Sequence, residues 1–242
     1  MAIINLQSAL EHVKTHRCFQ TVRRCKYTNG DYSTDAALAI VQEIGKQRTS
    51  RFTIDTDNRF AYENFIKWLH GDETMQALDP WTGEVVKGNL NAGIYIAGGT
   101  GTGKTWCTEI MRAYAVLFKF AIMYGDQQGT LVWRDARADD IAEHYVAETD
   151  IAPYKEVSAL CIQDLGSEQS EAVAMGNRLN VLRTLLESRG DRANCLTLIT
   201  SNHSMKNPLM AKQYGDRVMS RLSEMCNYFE IKGKDRRRNR NN

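Results

Sequence analysis

Residues Ile94-Tyr95-Ile96-Ala97 are followed by Gly98-Gly99-Thr100-Gly101-Thr102-Gly103-Lys104-Thr105, and a helical pattern runs on from about Lys104 to Phe120. An apolar strand, a glycine-rich loop ending in Gly-Lys-Thr and a helix form the G-x-x-x-x-G-K-[ST] pattern in the context its chemistry needs. Glycines let several backbone N–H groups converge on the phosphates of a nucleotide at the positive end of a helix dipole. Lys104 then reaches the β- and γ-phosphates, and the Thr105 hydroxyl serves Mg²⁺. The loop from Gly98 to Thr105 is accordingly expected to bind ATP.

Around this loop the chain alternates strand and helix. Strand patterns fall at Ile94 to Ala97, Thr130 to Trp133, Ala159 to Ile162, Leu196 to Thr200 and Tyr228 to Ile231. Helical patterns lie between them, at Asp139 to Glu148, over a long segment carrying Leu179, Leu182, Leu185 and Leu186 up to Gly190, and around Met219. Such alternation predicts an α/β fold of the P-loop NTPase type, a parallel sheet flanked by helices. Upstream, Leu6, Leu10 and Val13 mark a short amphipathic helix, and Ala37, Leu38, Val41 and Ile44 mark a second that stops at Gly45. A turn-rich stretch with Asn29-Gly30 separates them. Phe60, Phe65, Trp68 and Leu69 mark a third helix, closed by His70-Gly71. The division expected is a small helical N-terminal appendage over 1–55, which binds a partner, and an ATPase domain over 56–242 with a basic tail.

The chain has 242 residues, 43% of them hydrophobic, which suffices for one sizeable core. Its net charge of +2 is unevenly spread. Lys232, Lys234, Arg236, Arg237, Arg238 and Arg240 crowd the C-terminus against Asp235, and Arg17, Arg23, Arg24 and Lys26 form a second run. Both suit a nucleic acid or an acidic partner surface, although a solvated basic tail accounts equally well for the first. Six cysteines without a C-x-x-C pair, and no secretory leader, point to a reducing cytoplasm. His12, His16, Cys18 and Cys25 match no familiar zinc spacing. No apolar run is long enough to cross a bilayer, so no membrane association is expected.

The third strand continues as Gln163-Asp164-Leu165-Gly166, placing polar groups at the C-terminal end of a strand, where open α/β sheets bind ligands. The fourth ends in Thr200-Ser201-Asn202. With the phosphate loop, Glu168, and Tyr214-Gly215-Asp216-Arg217-Val218-Met219-Ser220-Arg221-Leu222, these segments resemble the AAA+ ATPases of the DnaC-type helicase loaders and the related IstB-type transposition helpers, over roughly residues 90–238. The resemblance implies that Asn202 is the sensor beside the γ-phosphate and that Asp164 is the acid that activates water. It also implies that Arg221, with Arg217 one helical turn earlier, reaches a neighbouring subunit's nucleotide in an ATP-bound homo-oligomer. One departure stands out. The family's first acid, the carboxylate associated with Mg²⁺, is replaced by Gln163, a weaker partner for a hard cation. Either Asp164 serves Mg²⁺ at a cost to water activation, or hydrolysis is slow and ATP acts as a clamp. The leading expectation is an ATP-dependent DNA replication protein that places a replicative helicase on single-stranded DNA. A transposition helper that binds duplex DNA and a transposase is the alternative. A small-molecule P-loop kinase is a third, with Arg178, Arg183 and Arg189 in a lid.

Overall fold

The computed structural model describes residues 5–15, 19–26, 32–168, 171–174 and 177–237. Its elements run α1 (Leu6–Thr15), β1 (Val22–Arg24), α2 (Thr34–Arg48), α3 (Arg59–His70), β2 (Gln76–Leu78), β3 (Val85–Lys87), β4 (Gly93–Ala97), α4 (Lys104–Phe118), β5 (Ala121–Tyr124), β6 (Gln127–Thr130), β7 (Arg134–Arg137), α5 (Ala138–Glu148), α6 (Ala152–Lys155), β8 (Ala159–Leu165), β9 (Ala172–Ala174), β10 (Asn177–Leu179), α7 (Val181–Gly190), β11 (Leu196–Ser201), α8 (Pro208–Tyr214), α9 (Asp216–Met225) and β12 (Cys226–Glu230).

Seven strands form the main sheet in the order β3-β2-β12-β4-β11-β8-β7. The five from β12 to β7 are mutually parallel, and β2 and β3 extend the sheet antiparallel. Parallel strands are covered on both faces, and β8 shows how. Its Ala159 and Cys161 face a core shared with Cys107, Ile110 and Met111 of α4, while Leu160 and Ile162 face a second core with Leu182 and Leu185 of α7 and Leu222 of α9. β4 lies in the middle of the sheet, so the loop after it opens at the centre of the sheet's C-terminal edge.

Several sequence expectations shift. Of the strand expected at Thr130 to Trp133, Thr130 ends β6 and residues 131–133 are a core-filling connection: Leu131 and Trp133 are buried, and the strand that joins the main sheet is β7, the edge strand parallel to β8. An edge strand carries charge without penalty, so Arg134, Asp135 and Arg137 hide it from an apolar pattern. Residues 121–130 contain β5 and β6, and β5 pairs with both β1 and β6 in a separate three-stranded sheet. Leu179 belongs to β10 rather than to the long helix, which begins at Val181 behind the Asn180 cap. α2 continues through Gly45 to Arg48. That glycine is a packing notch: a Cβ there would overlap the Phe52 ring. Gly71 does end α3, with φ of 64°.

Within residues 1–55, α2 buries Ala37, Leu38 and Val41 in the same core as α3 and α4, whereas α1 leaves Leu6, Leu10 and Val13 exposed. Arg24 turns inward, its guanidinium 4.3 Å from the Trp68 ring centre and donating to the Trp68 and Leu69 carbonyls. Arg17, His16, Cys18, the Asn29-Gly30 turn, Arg238 and Arg240 lie outside the described residues. Cys107, Cys161 and Cys226 are buried, and Cys195 is half-buried. Among the described residues no helix is long and apolar enough to cross a membrane, and no cluster of His, Cys, Asp or Glu is arranged to hold a metal.

Candidate nucleotide site

The loop from Gly98 to Thr105 is held by the strands on either side of β4. Gly98 N–H donates to the Ser201 carbonyl at the end of β11 (3.2 Å), and a Cβ on Gly98 would overlap the Ile231 carbonyl that follows β12. Gly101 and Gly103 have φ of 77° and 103°, which L side chains rarely adopt. Thr102 Oγ1 donates to the Gly99 carbonyl (2.9 Å) and closes the loop on itself. Lys104, first residue of α4, folds back into the loop: Nζ donates to Gly99 O (2.9 Å) and Asn202 Oδ1 (2.7 Å). Burial pushes its ammonium below the ordinary lysine range, and Asp164 opposes that shift.

Asp164 faces the same pocket through a bulge. β8 and β11 pair Ile162 with Ile199 and then Leu165 with Ser201, so Gln163 and Asp164 together oppose Thr200. A bulge of this kind re-aims one side chain. Asp164 sits at φ of 56°, a conformation aspartate tolerates better than most residues, and its N–H donates to Thr200 Oγ1 (2.9 Å). Gln163 keeps the strand's alternation and points under α4. It is 5% exposed, its amide donates to Thr108 Oγ1 (2.7 Å), and its Oε1 accepts from Thr200 Oγ1 (2.8 Å). Gln163 therefore does not line the phosphate pocket, whereas Thr100, Gly101, Thr105, Asp164, Asn202 and three arginines do.

Those arginines are Arg137, Arg236 and Arg237, none of which belongs to a motif that marks the site in the sequence. Arg137 ends β7, binds both oxygens of Asp139 (3.0 and 3.1 Å) and touches Asp164 (3.1 Å). Recognising 134–137 as the second parallel strand was the missing signal, because it brings Arg137 to the ligand-binding edge. Arg236 and Arg237 come from the basic tail, which crosses the loop. Beside the phosphate pocket lies a cavity of ≈ 520 Å³ between residues 49–58 and the loop, walled by Phe52, Tyr62, Trp106, Ile231 and Arg236. Its aromatic side chains, set among polar groups that include Arg51, Asp55, Asn58 and Arg237, suit a planar base.

The remaining expected residues lie elsewhere. Arg221 of α9 is bound to the end of α7, donating to Glu187 O (3.0 Å) and pairing with Asp191, and Arg217 is exposed on α9. Neither lines the phosphate pocket of its own chain. Glu168 is buried and joins the turn after β8 to the end of α8, accepting from Gly166 N–H (2.9 Å), Gln213 (2.9 Å) and the Tyr214 hydroxyl. Among the oxygen donors that line the pocket, which also include Thr100, Ser167 and Asn202, the Thr105 hydroxyl and the Asp164 carboxylate would be available to Mg²⁺, a hard cation that takes oxygen ligands.

No family model and no curated protein matches this sequence. Among solved structures, a candidate primosome component from Streptococcus pyogenes serotype M3 is similar over 82% of this chain and 98% of its own, at 17% identity and a TM-score of 0.53. AMPPCP-bound DnaA from Aquifex aeolicus is similar over 75% of this chain and 49% of its own (19% identity, TM-score 0.45). The DnaC helicase loader is similar over 76% and 94% (17% identity, TM-score 0.48). With its parallel sheet, flanking helices and glycine-rich loop at the centre of the sheet's edge, the chain shares an α/β fold with the candidate primosome component.

Proposed function

We propose that this chain is an ATPase that acts in DNA replication in the manner of DnaC, holding a replicative helicase and placing it on single-stranded DNA. The observation that carries the ATPase reading is the 2.7 Å bond between Lys104 and Asn202, which joins phosphate loop and strand-end sensor in a pocket that also holds Asp164. The replication role is supported by likeness to a primosome component over nearly that protein's whole length.

In this reading the loop N–H groups and Lys104 hold the β- and γ-phosphates, and the base enters the neighbouring aromatic cavity. Thr105 and Asp164 hold Mg²⁺, which supplies charge neutralisation at the phosphate oxygens. Asn202 orients the attacking water. Asp164, already touched by Arg137, is the carboxylate of the pocket and must serve both metal and water, so hydrolysis is slow and bound ATP works mainly as a clamp. Arg217 or Arg221 completes a neighbouring site when the protein assembles into an ATP-bound homo-oligomer, as arginine fingers act in trans. Residues 1–55, with the exposed Leu6, Leu10 and Val13, bind the helicase.

A kinase lid finds little support. Arg189 is fully buried, bound to Thr197 Oγ1 and to the Tyr154, Val157 and Leu196 carbonyls, and Arg183 pairs with Glu187 on its own helix. The Arg178 side chain lies outside the described part. Co-purification from the native host with ATP tests the reading. A replicative helicase retained with ATP supports it; a transposase in its place refutes the loader role and establishes the transposition-helper alternative.

A further inference from the structure

The basic C-terminal segment does not simply leave the domain. After β12, Ile231 N–H donates to Ala97 O (2.8 Å) and Lys232 N–H to Asp57 O (3.0 Å), so the chain is led across the front of the sheet. It then lands on the phosphate loop. Arg236 N–H donates to Gly101 O (2.9 Å) and Arg236 Nε to Thr102 O (3.1 Å). The Asp235 carboxylate packs so closely on Gly101 that a Cβ there would overlap it, and it also accepts from Arg237 N–H (2.9 Å).

The landing is locked from the opposite side. Both terminal nitrogens of Arg236 meet the two oxygens of Asp55 at 2.8 Å, a bidentate pair that fixes the guanidinium plane. Asp55 is itself set in place by the turn before α3: its carboxylate accepts from Asp57 N–H (3.0 Å), and its N–H donates to Asn58 Oδ1 (2.9 Å). Arg236 and Arg237 thus both stand on the wall shared by the phosphate pocket and the neighbouring cavity, and Arg237 is the more exposed of the two.

We propose that Asp235 to Arg237 form a strap supplied by the chain to its own phosphate site, in which Arg236 is the positioning residue, clamped between the loop and Asp55, and Arg237 engages the terminal phosphate of the bound nucleotide. This deepens the ATPase reading and rests on it. A solvated tail would make no bonds to the loop, and a nucleic-acid-binding tail has no need of the Asp55 lock. An arginine reaching a γ-phosphate distinguishes ATP from ADP, because only the triphosphate presents that group.

The test is equilibrium binding of a fluorescent, non-hydrolysable ATP analogue and of fluorescent ADP to the full chain and to Arg237→Ala, Arg237→Lys, Arg236→Ala, Asp55→Asn and Lys104→Ala. Loss of one charge-assisted contact corresponds to about a tenfold rise in Kd. Arg237→Ala is expected to weaken the ATP analogue by about that factor while ADP changes by less than about twofold, and Arg237→Lys to recover part of the loss. Arg236→Ala and Asp55→Asn should each reproduce the ATP-selective loss, and their double variant should be no worse than either alone. Equal losses for both nucleotides, or none, in Arg237→Ala overturn the strap while tight binding by wild type and its loss in Lys104→Ala uphold the ATP site. Wild-type protein that binds neither nucleotide overturns both.

Discussion

Gln163 provides the sharpest test, because sequence and structure give opposite outcomes for one substitution. By sequence it stands where a Mg²⁺-associated carboxylate is expected, so Gln163→Asp should accelerate hydrolysis. By structure its side chain is buried under α4, and the amide joins Thr108 of α4 to Thr200 of β11 with a further contact to Asp135 Oδ1 (3.2 Å). Aspartate is one methylene shorter and has no amide donor. Its carboxylate would be desolvated and would face Asp135. Two lost hydrogen bonds at about 1 kcal/mol each, with a further ~1 kcal/mol or more for the buried charge, give roughly 3 kcal/mol of destabilisation. For a chain of this size that is a fall in Tm of roughly 6 to 12 °C, read by thermal unfolding in parallel with steady-state ATPase assays. Gln163→Met, apolar and of similar length, should lose less. A Gln163→Asp protein of wild-type Tm with faster turnover would refute the structural placement and restore the residue to the metal.

Lys104→Ala should raise the Kd for ATP by more than about tenfold by removing the ammonium that spans Gly99 and Asn202, whereas Asn202→Ala should retain binding and lose most hydrolysis; unchanged ATP affinity in the first refutes the loop's assignment. Either Arg217→Ala or Arg221→Ala should abolish hydrolysis, and activity should return on mixing that variant with Lys104→Ala; Arg221→Ala should in addition lower Tm, since Arg221 seals the end of α7, and full activity of both variants alone ends the trans-acting reading. His70 is buried against Tyr32 (ring centres 3.9 Å apart) and bonded to the Tyr114 hydroxyl (2.8 Å), and burial pushes its pKa from 6.5 to about 4. The unfolded chain therefore takes up the proton first, so His70's contribution is complete above pH 6.5 and is lost as pH falls toward 4; His70→Phe should flatten that part of the stability profile, and an unchanged slope refutes the assignment. Gly45→Ala gains about 1 kcal/mol in helix propensity but should lower Tm, because overpacking against Phe52 costs about 1–3 kcal/mol, and Phe52→Leu should relieve it.

The phosphate loop was legible in the sequence because its chemistry depends on consecutive residues: glycines for φ of 77° and 103°, then Lys104 and Thr105 at the start of a helix. The central strands β4, β8, β11 and β12 were legible for a related reason, since parallel strands buried on both faces must be apolar runs. β7 was not, because an edge strand may carry Arg134 and Arg137, and with it was lost Arg137 at the pocket. Gly45 carried the mark of a helix stop, and only the position of the Phe52 ring shows that it is a notch in a continuing helix. The placements of Gln163 and Asp164 could not be separated by reading adjacent letters, because a one-residue bulge against Thr200 turns one side chain into the core and the other into the pocket beside the glycine-rich loop. The basic tail looked like charge available to any partner. Arg236 meets Asp55 across 181 residues of chain, and a contact that distant follows from how the sheet and α3 pack rather than from any local pattern.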